Sequence, residues 1–148
     1  MSNAITKILV LNGPNLGRLD IRDSKYYGDL NWDQLSKLIK DGAQDLGLEV
    51  DIRQSDDEAT LISWLHEAAD KHLPVIINPA AFTHYSIAIR DAAELVKAPM
   101  IEVHLSNPMA REEFRHTSVI SGIAKGSISG FGPNSYLLAL RAMKSLIS

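Results

Sequence analysis

The chain has 148 residues, 45% hydrophobic and 22% charged, with a formal net charge of −3. It can bury one domain's core, and it carries no basic stretch of the kind that holds nucleic acid or an anionic membrane surface. It has no cysteine, which excludes disulfide frameworks and thiolate chemistry; no apolar run approaches the roughly 18 residues of a membrane span; and the N-terminus lacks the basic-then-apolar pattern of a signal peptide.

Strand and helix patterns alternate along the chain, which predicts a parallel sheet with helices on both sides. Ser2-Asn3-Ala4 reads as a cloning remnant. Residues 8–11 form an apolar strand ended by Asn12-Gly13-Pro14, and a long polar loop follows over 14–30. Asn31 is a helix cap, and Leu35, Leu38, Ile39, Gly42 and Leu46 make the helical stripe behind it, closed by Gly47. Residues 48–53 are the second strand. Asp56 or Asp57 opens a helix carrying Leu61, Ile62, Leu65, Ala68 and Ala69. Residues 74–77 are the third strand, stopped by Asn78-Pro79, and Thr83 caps the helix of Ile87, Ile89, Ala92, Ala93 and Val96. A fourth strand runs from Met100, a helical turn covers 112–115, and 120–132 holds one or two weak, glycine-punctuated strands. The last helix spans 135–147. Residues 1–148 read as a single domain, with a lid at about 18–28, and the preferred topology is a five-stranded α/β sandwich of order 2-1-3-4-5, like flavodoxin.

In such a sheet the ligand sits beyond the carboxyl ends of the strands. Asn12 and Asn15 follow the first strand, Asn78 follows the third, and His104 and Ser106 end the fourth, so all can meet in one crevice. The segment Ile101-Glu102-Val103-His104-Leu105-Ser106 is the most telling. Alternation puts Glu102, His104 and Ser106 on one face of a strand type that is normally apolar throughout. A carboxylate and an imidazole there cost stability unless paired. A carboxylate beside an imidazole favours its charged form, which suits a general acid; the plainer reading is a core histidine satisfied by hydrogen bonds. Ser106-Asn107 suits anion capture or an ordinary turn. Arg111 and Arg115 share a face at i, i+4 of the helical turn, flanking an anion or pairing with Glu112 and Glu113.

The lid holds Arg18, Arg22, Tyr26, Tyr27 and Gly28, and connections of that length often close over sites. Bringing a phenol from its ordinary pKa of about 10 to near 7 takes roughly 4 kcal/mol. One guanidinium at about 4 Å supplies ~4 kcal/mol at an effective dielectric of 20, so one or two arginines suffice for a tyrosinate base, and the lid with Arg111 offers them. The plainer reading is a surface loop. His84 stands at the crevice mouth, as a donor to a hydroxyl or as a cap. His66, His72 and His116 lack metal-ligand spacing, so no metal is expected. There is no Gly-x-Ser-x-Gly elbow, no complete Walker loop and no lysine inside an apolar strand for imine chemistry.

These residues together resemble the type II 3-dehydroquinate dehydratases (3-dehydroquinases). The resemblance is carried by Leu11-Asn12-Gly13-Pro14-Asn15-Leu16, Arg22 with Tyr27-Gly28, Gln54-Ser55, Asn78 with Thr83-His84, and Ala88-Ile89-Arg90-Asp91-Ala92. It continues through Ile101–Asn107 and Ala110-Arg111-Glu112-Glu113-Phe114-Arg115. It implies the flavodoxin-like fold and a cytoplasmic, cofactor-independent lyase of the shikimate (aromatic amino acid) or quinate pathway. Such enzymes convert 3-dehydroquinate to 3-dehydroshikimate and water through an enolate. It implies Tyr27 as base, Arg22 as the lid arginine sustaining it, Asn15 orienting a water on the enolate oxygen, and His104 as acid with Glu102 as partner. Asn78, His84, Leu105, Ser106 and Arg115 correspond to substrate contacts and Arg111 to a second cation near the tyrosine. Asp91 corresponds to a carboxylate from a neighbouring subunit in a homododecamer built of trimers. The chain departs from the family pattern at Asp20, Asp23-Ser24, Asp56 and Ala80. Two other readings fit the fold: a non-catalytic binder of a small anion, which needs no ionisable tyrosine, and a receiver-like phosphorylation module, which needs acidic residues where Asn12 and Asn78 stand.

Overall fold

The computed structural model describes residues 7–148; Ser2-Asn3-Ala4 lies outside them. Its strands are β1 (Lys7–Asn12), β2 (Glu49–Gln54), β3 (Val75–Asn78), β4 (Met100–His104) and β5 (Gly126–Ser129). All pair in parallel, in the order β2-β1-β3-β4-β5. The helices are α1 (Ser24–Tyr27, a single turn), α2 (Trp32–Asp45), α3 (Glu58–Lys71), α4 (Ile87–Glu94) and α5 (Asn134–Ile147).

Strand alternation divides the core in two. Ile8 and Val10 of β1, Ile76 of β3, and Ile101 and Val103 of β4 face Leu35, Ile39 and Ala43 of α2 and Ala139, Leu140 and Met143 of α5. Leu9, Leu11, Val75, Ile77 and Met100 face Leu61, Leu65 and Ala68 of α3 and Ile89, Ala92 and Ala93 of α4. The apolar residues of β1 are fully buried, each contributing on the order of 1.5–3 kcal/mol. Asn31 caps α2 in a reciprocal pair with Gln34, and Gly47 takes a φ of +71° past its end.

The structure differs from the sequence expectation in several places. Residues 14–30 are not an irregular loop: a 3₁₀ segment (Leu16–Ile21) buries Leu16 and Leu19 in the core, and α1 follows, its start capped by Asp23. Polar composition concealed these turns, because only one side of each is buried. Thr83 does not cap α4. It is buried in a 3₁₀ turn (Ala80–His84), and the Ser86 hydroxyl accepts from the Ile89 N–H instead. Arg111 and Arg115 do not share one helical turn, because the backbone is extended at Arg111 between turns Pro108–Ala110 and Glu113–Arg115. Of the one or two strands expected within 120–132, the structure forms one, β5.

Candidate active site

A cleft of about 480 Å³ opens beyond the carboxyl ends of β1, β3 and β4. The strand order reverses between β1 and β3, and the loops leaving these strands diverge there. Gly13 makes the junction tight. Its N–H donates to the Asn78 carbonyl at 2.8 Å, and an added Cβ would lie 2.5 Å from the Pro79 oxygen. Asn15 follows in a left-handed conformation (φ +70°), with its N–H donating to Asp56. The aspartate that departs from the family pattern at 56 thus still holds this loop.

Of the residues singled out from sequence, Asn15, Arg22, Tyr27, Asn78, His84, His104, Leu105, Ser106, Arg111 and Arg115 all line this one cleft. Glu102 lies beneath His104 rather than in the cleft wall, and 1% of it is exposed. Asp91 is exposed on α4 and does not reach the cleft within this chain. Asn12 is also absent from the wall. It is fully buried and bonds backbone carbonyls of Val10 and Arg53.

Tyr27 ends α1, where Gly28 (φ +83°) breaks the turn. Its ring is buried, and the Arg22 guanidinium donates to its hydroxyl while lying 3.7 Å from the ring centroid. The Arg111 guanidinium is 5.1 Å from the same ring and 4.4 Å from that of Tyr26. Burial holds the Arg22 pKa below its ordinary value against the opposing pull of Tyr27, and the charges of Arg111 and Arg115 add to the fall. Neither Arg22 nor Arg111 has a carboxylate partner among the described residues. Arg111 donates to the Ser106 hydroxyl at 3.2 Å, whereas Arg115 pairs with Glu112. A cation left without a carboxylate in a half-buried wall suits an anionic ligand or an anionic phenol.

Across the cleft, His104 Nε2 lies 2.5 Å from Glu102 Oε2. Burial acts to raise the Glu102 pKa, but His104, Ser121 and Ser118 outweigh it and hold the carboxyl below the usual range. An ionised carboxylate only accepts, so Nε2 carries the proton and Nδ1 is the ring nitrogen left for the cleft. His84 Nδ1 donates to the Thr117 carbonyl at 2.8 Å, which leaves its Nε2 for a ligand.

Sequence reasoning missed the support beneath this wall. The Tyr136 hydroxyl of α5 donates to Asn12 Oδ1 at 2.6 Å and accepts from Asn78 Nδ2 at 2.9 Å. Asn12 and Asn78 are register partners on β1 and β3, so one phenol orients both carboxamides. Its pKa is raised by complete burial. In sequence Tyr136 is one more aromatic on an apolar helical stripe. Ser118 and Ser121 were also missed, although their i, i+3 spacing in a polar turn is a weak signal for a shared partner.

Proton transfer on a small anionic molecule is the work this arrangement suits: a phenol among guanidinium groups faces an imidazole backed by a carboxylate. Comparison with known proteins agrees with that class. The chain belongs to the class II dehydroquinase family, whose profile it matches over residues 6–144. It is 55% identical over 134 residues to the 3-dehydroquinate dehydratase of Salinispora tropica, covering 90% of this chain and 94% of that one. Against the enzyme of the same name from Rhizobium meliloti it is 50% identical over 139 residues, 94% of each chain. The crystal structure of the type II dehydroquinase from Propionibacterium acnes superimposes with a TM-score of 0.93 at 49% identity, covering 97% of this chain and 99% of that one.

Proposed function

We infer that the protein is a 3-dehydroquinate dehydratase, a hydro-lyase that removes water from 3-dehydroquinate to give 3-dehydroshikimate. Family membership over nearly the whole chain supports the reaction. The observation that carries the mechanism is the pairing, across one cleft, of Tyr27 under Arg22 and Arg111 with His104 backed by Glu102.

Tyr27, as tyrosinate, takes the proton from the carbon beside the ketone, and Arg22 and Arg111 stabilise the anion. The resulting enolate oxygen is met by a water oriented by Asn15. His104 then gives a proton to the leaving hydroxyl, the C–O bond breaks and water departs. Asn78, His84, Leu105, Ser106 and Arg115 hold the substrate, its carboxylate facing Ser106 and the arginines. A base, an oxyanion stabiliser and an acid are sufficient for eliminating a hydroxyl two carbons from a ketone, so the mechanism enlists no cofactor.

The single domain of residues 1–148, with residues 18–28 as its lid, acts in the shikimate or quinate pathway. We place it in the cytoplasm, a reading that fits the absence of cysteine; among the described residues no helix is long and apolar enough to cross a membrane. The same reading has it assemble as a dodecamer of trimers, in which Asp91 of one subunit completes the cleft of the next.

Turnover is followed by the ultraviolet absorbance of the conjugated product. Tyr27→Phe is expected to lower kcat by at least about 10²-fold while calorimetric affinity for a substrate mimic stays near wild type. A near-normal rate in that variant removes Tyr27 from the mechanism. Wild-type protein that binds the mimic but turns over nothing at any pH supports the non-catalytic binder.

A further inference from the structure

Behind His104 a second cavity, about 590 Å³, opens between β4, β5 and the polar turn after Arg115. The Glu102 carboxylate forms part of its wall and is bonded from three directions. His104 Nε2 donates at 2.5 Å, the Ser118 hydroxyl lies 3.1 Å from each carboxylate oxygen, and the Ser121 hydroxyl donates to Oε1. Ser118 Oγ also accepts from the backbone N–H groups of Ile120 at 3.1 Å and Ser121 at 3.0 Å. A serine hydroxyl has one hydrogen and two lone pairs. With both lone pairs taken, the Ser118 hydrogen has only the carboxylate to go to. The Ser118 hydroxyl can therefore only donate toward Glu102, and the ionised carboxylate accepts from the Ser121 hydroxyl and His104 Nε2 as well.

We propose that Ser118 and Ser121 are positioning residues that hold Glu102 ionised at neutral pH, so that His104 keeps the proton on Nε2 and exchanges protons with substrate through Nδ1 alone. The inference rests on the proposed dehydration. In that step the Nδ1 proton passes to the leaving oxygen, the C–O electron pair goes with it as water forms, and a neutral imidazole protonated at Nε2 remains. The proton that Tyr27 took from carbon returns to Nδ1 through solvent, so the cycle closes without net gain or loss. Glu102 neither takes nor passes a proton. Other titratable groups surround this wall: His84, Arg115 and His116 line the same cavity, and Arg90 of α4 donates to the Val119 carbonyl. None of these bonds the carboxylate.

Ser121→Ala is the test, because that hydroxyl bonds Glu102 and holds no backbone group among the described residues. With one donor gone the carboxylate protonates more readily. The titration profile of the Glu102 carboxyl, followed by carbon NMR, is then expected to move up by about one pH unit. Ser121→Thr, which keeps the hydroxyl, restores the wild-type profile. Independently of activity, nitrogen NMR of unliganded wild type is expected to show His104 Nε2 protonated on both sides of its titration, with Nδ1 the nitrogen that changes. A neutral form protonated at Nδ1, or a Ser121→Ala profile superimposable on wild type, overturns the proposal. A wild-type enzyme inert toward 3-dehydroquinate overturns the dehydration reading instead and leaves the NMR result to decide the proton's position.

Discussion

Ala80 stands where the family commonly has glycine, and its φ is +54°. A Cβ in the left-handed region costs on the order of 1 kcal/mol, yet the turn keeps this geometry because the Ala80 N–H donates to Asn78 Oδ1 at 3.1 Å. Ala80→Gly is expected to raise stability by about 0.5–1 kcal/mol, or a Tm gain of roughly 3 °C by scanning calorimetry. Glu102 supplies a prediction in pH. Its folded pKa lies below the ordinary carboxylate value, with burial opposing and its three donors prevailing. Its contribution to stability is therefore complete above the ordinary value of about 4.3 and fades as pH falls through the lower folded value. Glu102→Gln is expected to be less stable than wild type at pH 7, with the gap narrowing below about pH 4. Urea midpoints at the two pH values measure it, and a gap that does not change with pH contradicts the ionised pair.

Tyr136 shows how one helix sets the ends of two strands. α5 lies against β4 and β5, but its phenol reaches Asn12 and Asn78 and so orients the loop ends that form the cleft floor. Tyr136→Phe leaves two buried carboxamides each short of a partner. A loss of about 1–3 kcal/mol is expected in chemical denaturation, together with a raised KM, since the Asn78 carboxamide beside the substrate is then held only through the Ala80 N–H. An unchanged KM would confine Tyr136 to a packing role. The segment from Leu16 to Tyr27 works differently. Its buried Leu16 and Leu19 anchor a chain that carries Arg22 and Tyr27 out over the strand ends. These anchors were hard to see in the sequence, because two leucines in a polar stretch have neither a helical nor a strand period.

The assembly is tested through Asp91, which is exposed on α4 near the exposed side chains of Tyr85, Ile87 and Leu95. If a neighbour's Asp91 completes each cleft, Asp91→Ala is expected to lower kcat/KM while leaving the monomer fold intact by circular dichroism. A monomer shown by light scattering to be fully active would overturn that arrangement.

The layered α/β class followed from local chemistry: apolar runs of strand length alternate with helical stripes, and caps such as Asn31 mark their starts; the order β2-β1-β3-β4-β5 was expected only as the common one for that class, because strand pairing joins distant segments. His104 above Glu102 was equally legible, since a period of two puts i and i+2 side by side on any strand. Other contacts join residues far apart in the chain, and no local pattern encodes them. Tyr136 meets Asn12 across 124 positions and Ser121 meets Glu102 across 19. Neither hydroxyl could be told from its surface-bound or core-filling kind until packing brought it to a buried polar group that needed a donor.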